Sequence, residues 1–323
     1  MEKMVTNFYG IAVLVTGGTG FVGSHLVEEL IRLKARVITT SHYSHPKSYF
    51  FSQELGKKAT VVKTNIGNIH NIYSLLNHYK VEYIFHLAAQ PLVEVGFRYP
   101  KRTLYTNVLG TINILEAARK YNKIRGIVVA SSDKAYGPLN KAKYLETDSL
   151  LGEQPYEVSK SCADLISQAY VKTYDLPIVV TRFGNIYGEG DLHYNRIVPG
   201  IMKAIICNKV LKIRSNGKYI RDYLYVKDVI SGYINLITNI DKTKGEAFNF
   251  GSVESLSVID LIKLIEKSLD KKISYEILDS VKNEIPYQSL DDSKIKNRLG
   301  WQQEYNLAST SKNIYSWYKK TLV

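Results

Sequence analysis

Ile11-Ala12-Val13-Leu14-Val15-Thr16-Gly17-Gly18-Thr19-Gly20-Phe21-Val22-Gly23 is the stretch that decides the fold. Its first five residues are apolar and three are β-branched, the pattern of a strand buried on both faces. The strand empties into glycines. A helix follows from about Ser24 to Lys34, with Leu26, Leu30 and Leu33 on its inner face. In this order each glycine has a physical task. Gly17 permits a tight turn, Gly20 lets a pyrophosphate approach the backbone, and Gly23 lets the helix pack close to the sheet. The helix N-terminus then faces the phosphates. A glycine loop by itself also serves as a plain turn; the strand before it and the helix after it mark this one as a dinucleotide loop.

Further strands recur at helical intervals: Arg36–Thr40, Thr60–Lys63, Glu82–Leu87, Gly126–Ala130 and Ile178–Arg182. Between them Thr106–Lys120 and Pro155–Tyr174 read as long helices. The alternation predicts an α/β fold, a Rossmann-type doubly wound parallel sheet with a smaller C-terminal substrate-binding lobe. The expected division is residues 1–181, with about 222–250 returning to them, as the nucleotide-binding domain, and the remainder of 182–323 as the second lobe. In that lobe Asn185 to Asn195 reads as loop, Lys209–Arg214 as a strand, and Ile197–Ile206, Val258–Leu269 and Asn306 to Lys320 as helices.

Composition narrows the function. The chain has 323 residues, 45% hydrophobic, enough for a full core. No apolar run approaches the ~18 residues of a membrane span, and Ile11–Val15 runs into a glycine loop, not a signal-peptide cleavage site. Cys162 and Cys207 make neither a disulfide framework nor a metal-ligand spacing, so a cytoplasmic location and no metal are expected. The net charge of +13 raises nucleic acid as a partner. The lysines are scattered, however, without a basic stripe among aromatics. Anionic small molecules account for the charge more simply.

Val128-Val129-Ala130-Ser131-Ser132-Asp133-Lys134-Ala135-Tyr136-Gly137 is a buried strand that surfaces in small polar residues. Downstream, Tyr156 and Lys160 lie four apart on one helical face behind Pro155. A fixed ammonium beside a phenol favours the phenolate and makes a base usable near neutral pH. Ser132 can hydrogen-bond the same substrate hydroxyl. On the same helix Val158, Cys162, Leu165 and Ala169 form an apolar stripe turned away from Tyr156, suited either to core or to a subunit seam. His25 reads as a packing residue on its helix.

These segments together resemble the extended short-chain dehydrogenase/reductases, from Val13 to about Asp228. Thr16 to Gly23 is similar to that family's cofactor loop, His86-Leu87-Ala88-Ala89 to its fourth-strand signature, and Thr106-Asn107-Val108-Leu109-Gly110-Thr111 to its central-helix signature. Arg182-Phe183-Gly184-Asn185-Ile186-Tyr187-Gly188 and Arg221-Asp222-Tyr223-Leu224-Tyr225-Val226-Lys227-Asp228 resemble its nucleotide-sugar segments. Within the family the resemblance is to nucleotide-sugar 4,6-dehydratases, CDP-glucose type: Gln90-Pro91-Leu92-Val93 follows the fourth strand, and Ser132-Asp133-Lys134 stands where other dehydratases carry Thr-Asp-Glu. Gly190-Asp191 and Arg196-Ile197-Val198-Pro199 are similar too. The chain departs from the pattern at Leu192, in a tryptophan position, and at Thr64-Asn65-Ile66-Gly67-Asn68, where Gly-Asp-Ile-Arg-Asp is usual.

The resemblance implies a lyase that oxidises a nucleotide-diphosphate sugar at carbon 4, eliminates water across carbons 5 and 6, and returns the hydride. Its catalytic residues here would be Ser132, Asp133, Lys134, Tyr156 and Lys160. Cofactor contacts would come from Gly17, Thr19, Gly20, Phe21, Val22, Gly23, Ser41, Asn65, Ile66, Leu87, Ala88, Ala89 and Asn107, besides Tyr156 and Lys160. Substrate contacts would come from Gln90, Ser132, Asn185, Arg196 and Arg221, the last with a guanidinium fork for phosphate oxygens. Asp133 has a plain alternative as a turn cap, Lys134 as an exposed turn lysine, and Arg221 as an ion-pair partner of Asp222 or Asp228. No acid lies between Glu29 and Glu54, where a ribose-binding carboxylate would stand about 20 residues past the glycines. Thr39-Thr40-Ser41-His42 and Lys47 leave NADP open, while the resemblance and the lack of an arginine after this strand favour NAD. A homodimer or dimer of dimers is implied. The rival readings are an epimerase or reductase of the same fold and a non-catalytic NAD(P)-binding sensor, which would not need Ser132, Tyr156 and Lys160.

Overall fold

The computed structural model describes residues 8–42, 45–280 and 285–322. In chain order the elements are β1 (Ala12–Thr16), α1 (Phe21–Arg32), β2 (Arg36–Ser41), α2 (Tyr49–Ser52), β3 (Thr60–Lys63), α3 (Ile69–Tyr79), β4 (Tyr83–His86), α4 (Val93–Arg98) and α5 (Pro100–Leu104). A π-turn (Tyr105–Leu109) leads into α6 (Gly110–Tyr121), then β5 (Gly126–Ala130), a 3-10 turn (Asp133–Tyr136), α7 (Pro155–Tyr174) and β6 (Ile178–Phe183). The rest comprises β7 (Asn185–Tyr187), α8 (Ile197–Ile206), β8 (Leu211–Ile213), β9 (Ile220–Tyr225), α9 (Val226–Thr238), α10 (Ile240–Thr243), β10 (Ala247–Phe250) and β11 (Ser255–Ser257). It closes with α11 (Val258–Leu269), β12 (Tyr275–Ile277), β13 (Tyr287–Gln288), α12 (Ser293–Leu299) and α13 (Leu307–Leu322).

The main sheet has seven strands in the order β10-β6-β5-β4-β1-β2-β3. All five pairings from β3 to β6 are parallel. Strand order reverses between β1 and β4, and in open α/β sheets that switch point is where ligands bind, beyond the carboxyl ends of the strands. Ala12, Leu14, Ile38, Ile84, Ile127 and Val129 on one sheet face meet Ile72 and Leu76 of α3 and Ile114, Leu115 and Ala118 of α6 in one continuous apolar cluster. Strands buried this fully need no polar alternation, which is why they read as unbroken apolar runs.

The chain resolves into two compact units: residues 1–138, 146–182 and 230–248, and residues 139–145, 183–229 and 249–323. The second is built around a four-stranded sheet in which β11, β9 and β13 are neighbours and β7 also pairs with β9. The sequence reading of Asn185–Asn195 as loop is corrected at its start. Asn185, Ile186 and Tyr187 pair with Tyr223, Leu224 and Tyr225, a long-range pairing that no local pattern announces. The helix read as Thr106–Lys120 is likewise corrected at its start, because residues 105–109 take the wider π geometry before α6 begins.

Candidate active site

The glycine turn after β1 is shaped by close approaches. Gly17 has φ +74°, in the left-handed region, and a Cβ there would lie 3.0 Å from the backbone nitrogen of Ala88. A Cβ at Gly23 would run into the Gly17 carbonyl. Helix α1 starts from Gly20 with no side-chain cap and no acid in its first turn, leaving its leading N–H groups to a ligand. At the end of β2 the Thr40 hydroxyl accepts from Gly17 N–H at 3.3 Å, and the Thr39 hydroxyl donates to the Val15 carbonyl at 2.8 Å. Those threonines hold the turn. Ser41 follows, half-buried. His25 packs, as read, stacked on Tyr49 with ring centroids 3.9 Å apart.

Across the switch point His86 ties three elements together. Ala88 N–H donates to the Thr16 hydroxyl, which lies 2.8 Å from His86 Nδ1. Thr111 donates to the Asn107 carbonyl and must therefore accept from His86 Nε2 at 3.1 Å. His86 is therefore protonated on Nε2, and as a neutral imidazole it accepts from Thr16 at Nδ1. Burial, with Lys160 adding to it, drives its pKa down to about 3. Asn107, inside the π-turn, is a second junction. Its Oδ1 accepts from Gln90 N–H at 2.7 Å, and its Nδ2 donates to the Gln90 carbonyl and to the Ser159 hydroxyl. Ser159 in turn donates to the Tyr156 carbonyl at 2.6 Å. Sequence reasoning singled out Asn107 and missed Ser159, whose only local signal was its place inside the Tyr156–Lys160 spacing.

The strand end and α7 carry the polar constellation. Ser132 caps the 3-10 turn, accepting from Lys134 N–H at 3.2 Å, and donates to Asp133 Oδ1 at 2.9 Å. The cap is Ser132, so the plain reading of Asp133 as turn cap does not account for this buried side chain. Lys134 is half-buried, not a free surface lysine. On α7 Tyr156 and Lys160 are both buried. The Lys160 ammonium donates to the Ala130 carbonyl at 2.8 Å, two residues before Ser132. Burial pushes its pKa down to about 8, with Asp164 one turn further on acting in the opposite direction. A lysine poised there carries charge at neutral pH and can release it.

The other predicted substrate residues belong to the second unit. Asn185 is an exposed member of β7. Arg196 pairs with the buried Asp191 at 3.0 Å. Arg221, buried on β9, donates to the Ile220 carbonyl at 2.7 Å. Its sequence neighbours have anchoring work: Asp222 accepts from the Ser255 hydroxyl and Leu290 N–H, and Asp228 from the N–H groups of Glu304 and Tyr305. In the Thr64–Asn68 segment Asn65 is exposed and turns its Oδ1 to Gly67 N–H, while Ile66 is buried and its carbonyl accepts from Asn113.

The family model described as GDP-mannose 4,6 dehydratase matches residues 14–314. The chain belongs to that family. It is thereby an extended short-chain dehydrogenase/reductase. It is 31% identical to CDP-glucose 4,6-dehydratase of Salmonella typhimurium, over 97% of this chain and 92% of that one. Among solved structures, UDP-glucose 4-epimerase of Thermotoga maritima with UDP-glucose matches with a TM-score of 0.88 at 29% identity, covering 97% of this chain and all of that one. dTDP-glucose 4,6-dehydratase of Bacillus anthracis in complex with NAD matches with a TM-score of 0.84 at 27% identity, covering 96% and 97%. The proteins that this chain is similar to thus include both dehydratases and an epimerase.

In this GDP-mannose 4,6-dehydratase family member the residues fit a dinucleotide. The glycine cradle admits no Cβ at Gly17 or Gly23 without displacement. Among the described residues the buried Ser131 hydroxyl, beside Ser132, has no hydrogen-bond partner. An orphaned buried hydroxyl is costly unless a ligand satisfies it.

Proposed function

We propose that the chain is an NAD-dependent nucleotide-sugar 4,6-dehydratase, with CDP-glucose as the first substrate to test. The observation that carries this reading is the Ser132-Asp133-Lys134 turn, in which Ser132 provides the cap and leaves a buried carboxyl and a half-buried ammonium next to it. Oxidation and epimerisation need the Ser132, Tyr156 and Lys160 set; an acid beside Ser132 is what elimination adds. NAD would lie along the glycine turn of β1 and α1, and when bound it supplies a hydride acceptor for carbon 4 and a donor for carbon 6. Tyr156 takes the proton from the carbon-4 hydroxyl, Ser132 holds that oxygen, and the Lys160 charge favours the phenolate. The resulting ketone acidifies the carbon-5 hydrogen. Asp133 gives its proton to the carbon-6 hydroxyl, which leaves as water. Lys134 either accepts the carbon-5 proton or, charged, stabilises the enolate while water or another group takes that proton. Arg221, Arg196 and Asn185 are assigned to the substrate's phosphates and nucleotide.

Incubation of the NAD-loaded protein with CDP-, UDP-, GDP- and dTDP-hexoses, followed by mass spectrometry, tests this. Loss of one water from CDP-glucose is expected. A product of unchanged mass with inverted carbon 4 would replace the dehydratase reading by the epimerase one, which the likeness to UDP-glucose 4-epimerase favours. A second copy of the chain is assigned to the predicted stripe of α7 and the helix around Asn107, as a two-fold helix bundle: Leu165 of the stripe is 52% exposed and Tyr105 of the π-turn 59% exposed. A monomer by light scattering at micromolar concentration would refute that assembly.

A further inference from the structure

Arg182, at the end of β6, is among the largest fully buried side chains, 2% exposed. Its Nε and Nη2 clasp Asp164 of α7 side-on at 2.8 and 3.0 Å, and Asp164 is itself fully buried. The remaining arm is not idle. Nη1 donates to the Tyr136 hydroxyl at 2.7 Å and to the Glu146 carbonyl at 3.3 Å, while the guanidinium carbon lies 4.7 Å from the Tyr136 ring centroid. Tyr136 closes the 3-10 turn that begins at Asp133. The adjacent residue is tethered as well, since Ser161 of α7 donates to the Ala135 carbonyl at 2.7 Å.

Replacing a buried ion pair by apolar side chains of similar volume is often neutral or stabilising, so such a pair is weak evidence of stabilisation. Its geometry here points to another use. The Asp133–Lys134 turn and the Tyr156–Lys160 helix arise 20 or more residues apart in sequence, and both must present groups to one sugar ring. We propose that the Arg182–Asp164 pair, through the Tyr136 hydroxyl, is a positioning clamp that keeps the Asp133–Lys134 turn in register with Tyr156 and Lys160. Arg182, Asp164 and Tyr136 are positioning residues in this scheme, with Tyr136 as the link specific to the turn. If the pair only stapled α7 to β6, removing the Tyr136 hydroxyl would leave the turn unaffected. The catalytic half of the test rests on the dehydratase reading; the dynamic half does not.

Tyr136→Phe keeps the ring and the ion pair and removes the one hydroxyl. Hydrogen exchange on the NAD-free protein should show the amides of residues 134–137 exchanging about tenfold faster or more, an increase larger than that at amides elsewhere in β5, β6 and α7. In single turnovers with NAD and CDP-glucose, formation of reduced cofactor should stay within about twofold of wild type while water loss slows by about tenfold or more, KM being unaffected. The double variant Asp164→Asn/Arg182→Met, which removes both charges together, should show the same faster exchange at residues 134–137. Unchanged exchange in Tyr136→Phe would overturn the clamp whatever the reaction proves to be. Equal slowing of oxidation and water loss would also overturn it. A wild type that reduces its cofactor and never loses water would sink the dehydratase reading alone, and the exchange result would still decide the clamp.

Discussion

Lys160→Met should abolish the chemistry and yet stabilise the fold at neutral pH. The ammonium of Lys160 is buried, and burial lowers its pKa from 10.5 to about 8. That fall corresponds to roughly 3 kcal/mol borne by the folded state whenever the group is charged. Methionine has a similar length and no charge. It forfeits the bond to the Ala130 carbonyl, a loss of roughly 1 kcal/mol net. The balance at pH 7 is about 2 kcal/mol in favour of the variant. The sign reverses with pH. Between about 8 and 10.5 the unfolded chain keeps the Lys160 proton and the folded one does not, so wild-type stability rises relative to the variant. Above pH 10.5 only the lost hydrogen bond remains, and wild type should be the more stable. Urea denaturation of both proteins at pH 7 and near pH 10, without NAD, measures the difference. Circular dichroism is the suitable probe, because Trp301 and Trp317 both lie in the second unit. A variant less stable than wild type at pH 7, with no convergence or crossing as pH rises, would refute the claim that Lys160 is held at the expense of stability.

Asp133→Asn should retain cofactor reduction by substrate and lose water elimination by about 10²–10⁴-fold, trapping the 4-keto sugar with reduced cofactor; stopped-flow absorbance with product mass spectrometry checks it, and wild-type dehydration would remove Asp133 from the mechanism. Lys134→Ala should slow exchange of the carbon-5 hydrogen with deuterated solvent, followed by NMR. Gly23→Ala should weaken NAD binding by about tenfold or more, since the added methyl meets the Gly17 carbonyl; calorimetric titration reads this, and unaltered affinity would mean the turn does not carry the pyrophosphate. In the second unit burial raises the Asp228 carboxyl pKa to about 6. A raised carboxyl pKa favours the folded state at low pH, and that contribution should be lost as pH rises from about 4 through 6. Asp228→Asn should remove this part of the pH dependence, read from tryptophan fluorescence during denaturation at pH 4 and pH 7.

The parts of the fold legible in the sequence were those with local causes. β3, β5, α7, α8 and α11 have the boundaries read from periodicity and from signals such as Pro155. The glycine turn was legible because strand, loop and helix are contiguous. β7 was not, since its partner β9 lies some 35 residues on and pairing is decided between backbones. The π-turn escaped because periodicity can announce a helix but not which carbonyl each N–H reaches. At the site, Tyr156 and Lys160 were legible as a spacing, whereas the Lys160 bond to Ala130 and the Asn107–Ser159 bond join distant segments. Arg182 was visible only as the first letter of a motif; its fork to Asp164 and its reach to Tyr136 depend on how β6 sits beside α7.

The π-turn has a consequence for how this scaffold can change over time. Gly110 N–H bonds back to the Tyr105 carbonyl, five residues away, where a regular α-helix would reach four. A helical residue turns the chain by about 100°, so such a turn differs from plain helix by one residue's worth of rotation. Substitution cannot supply or remove that rotation; only an insertion or a deletion can. Deleting one residue between Tyr105 and Leu109 would leave an acceptable helix and swing Asn107 away from Gln90 and Ser159 in one step. Intermediates between the two arrangements do not exist along a path of point mutations. The Gln90–Asn107–Ser159 junction is therefore one unit with respect to chain length, kept or lost together with that single residue.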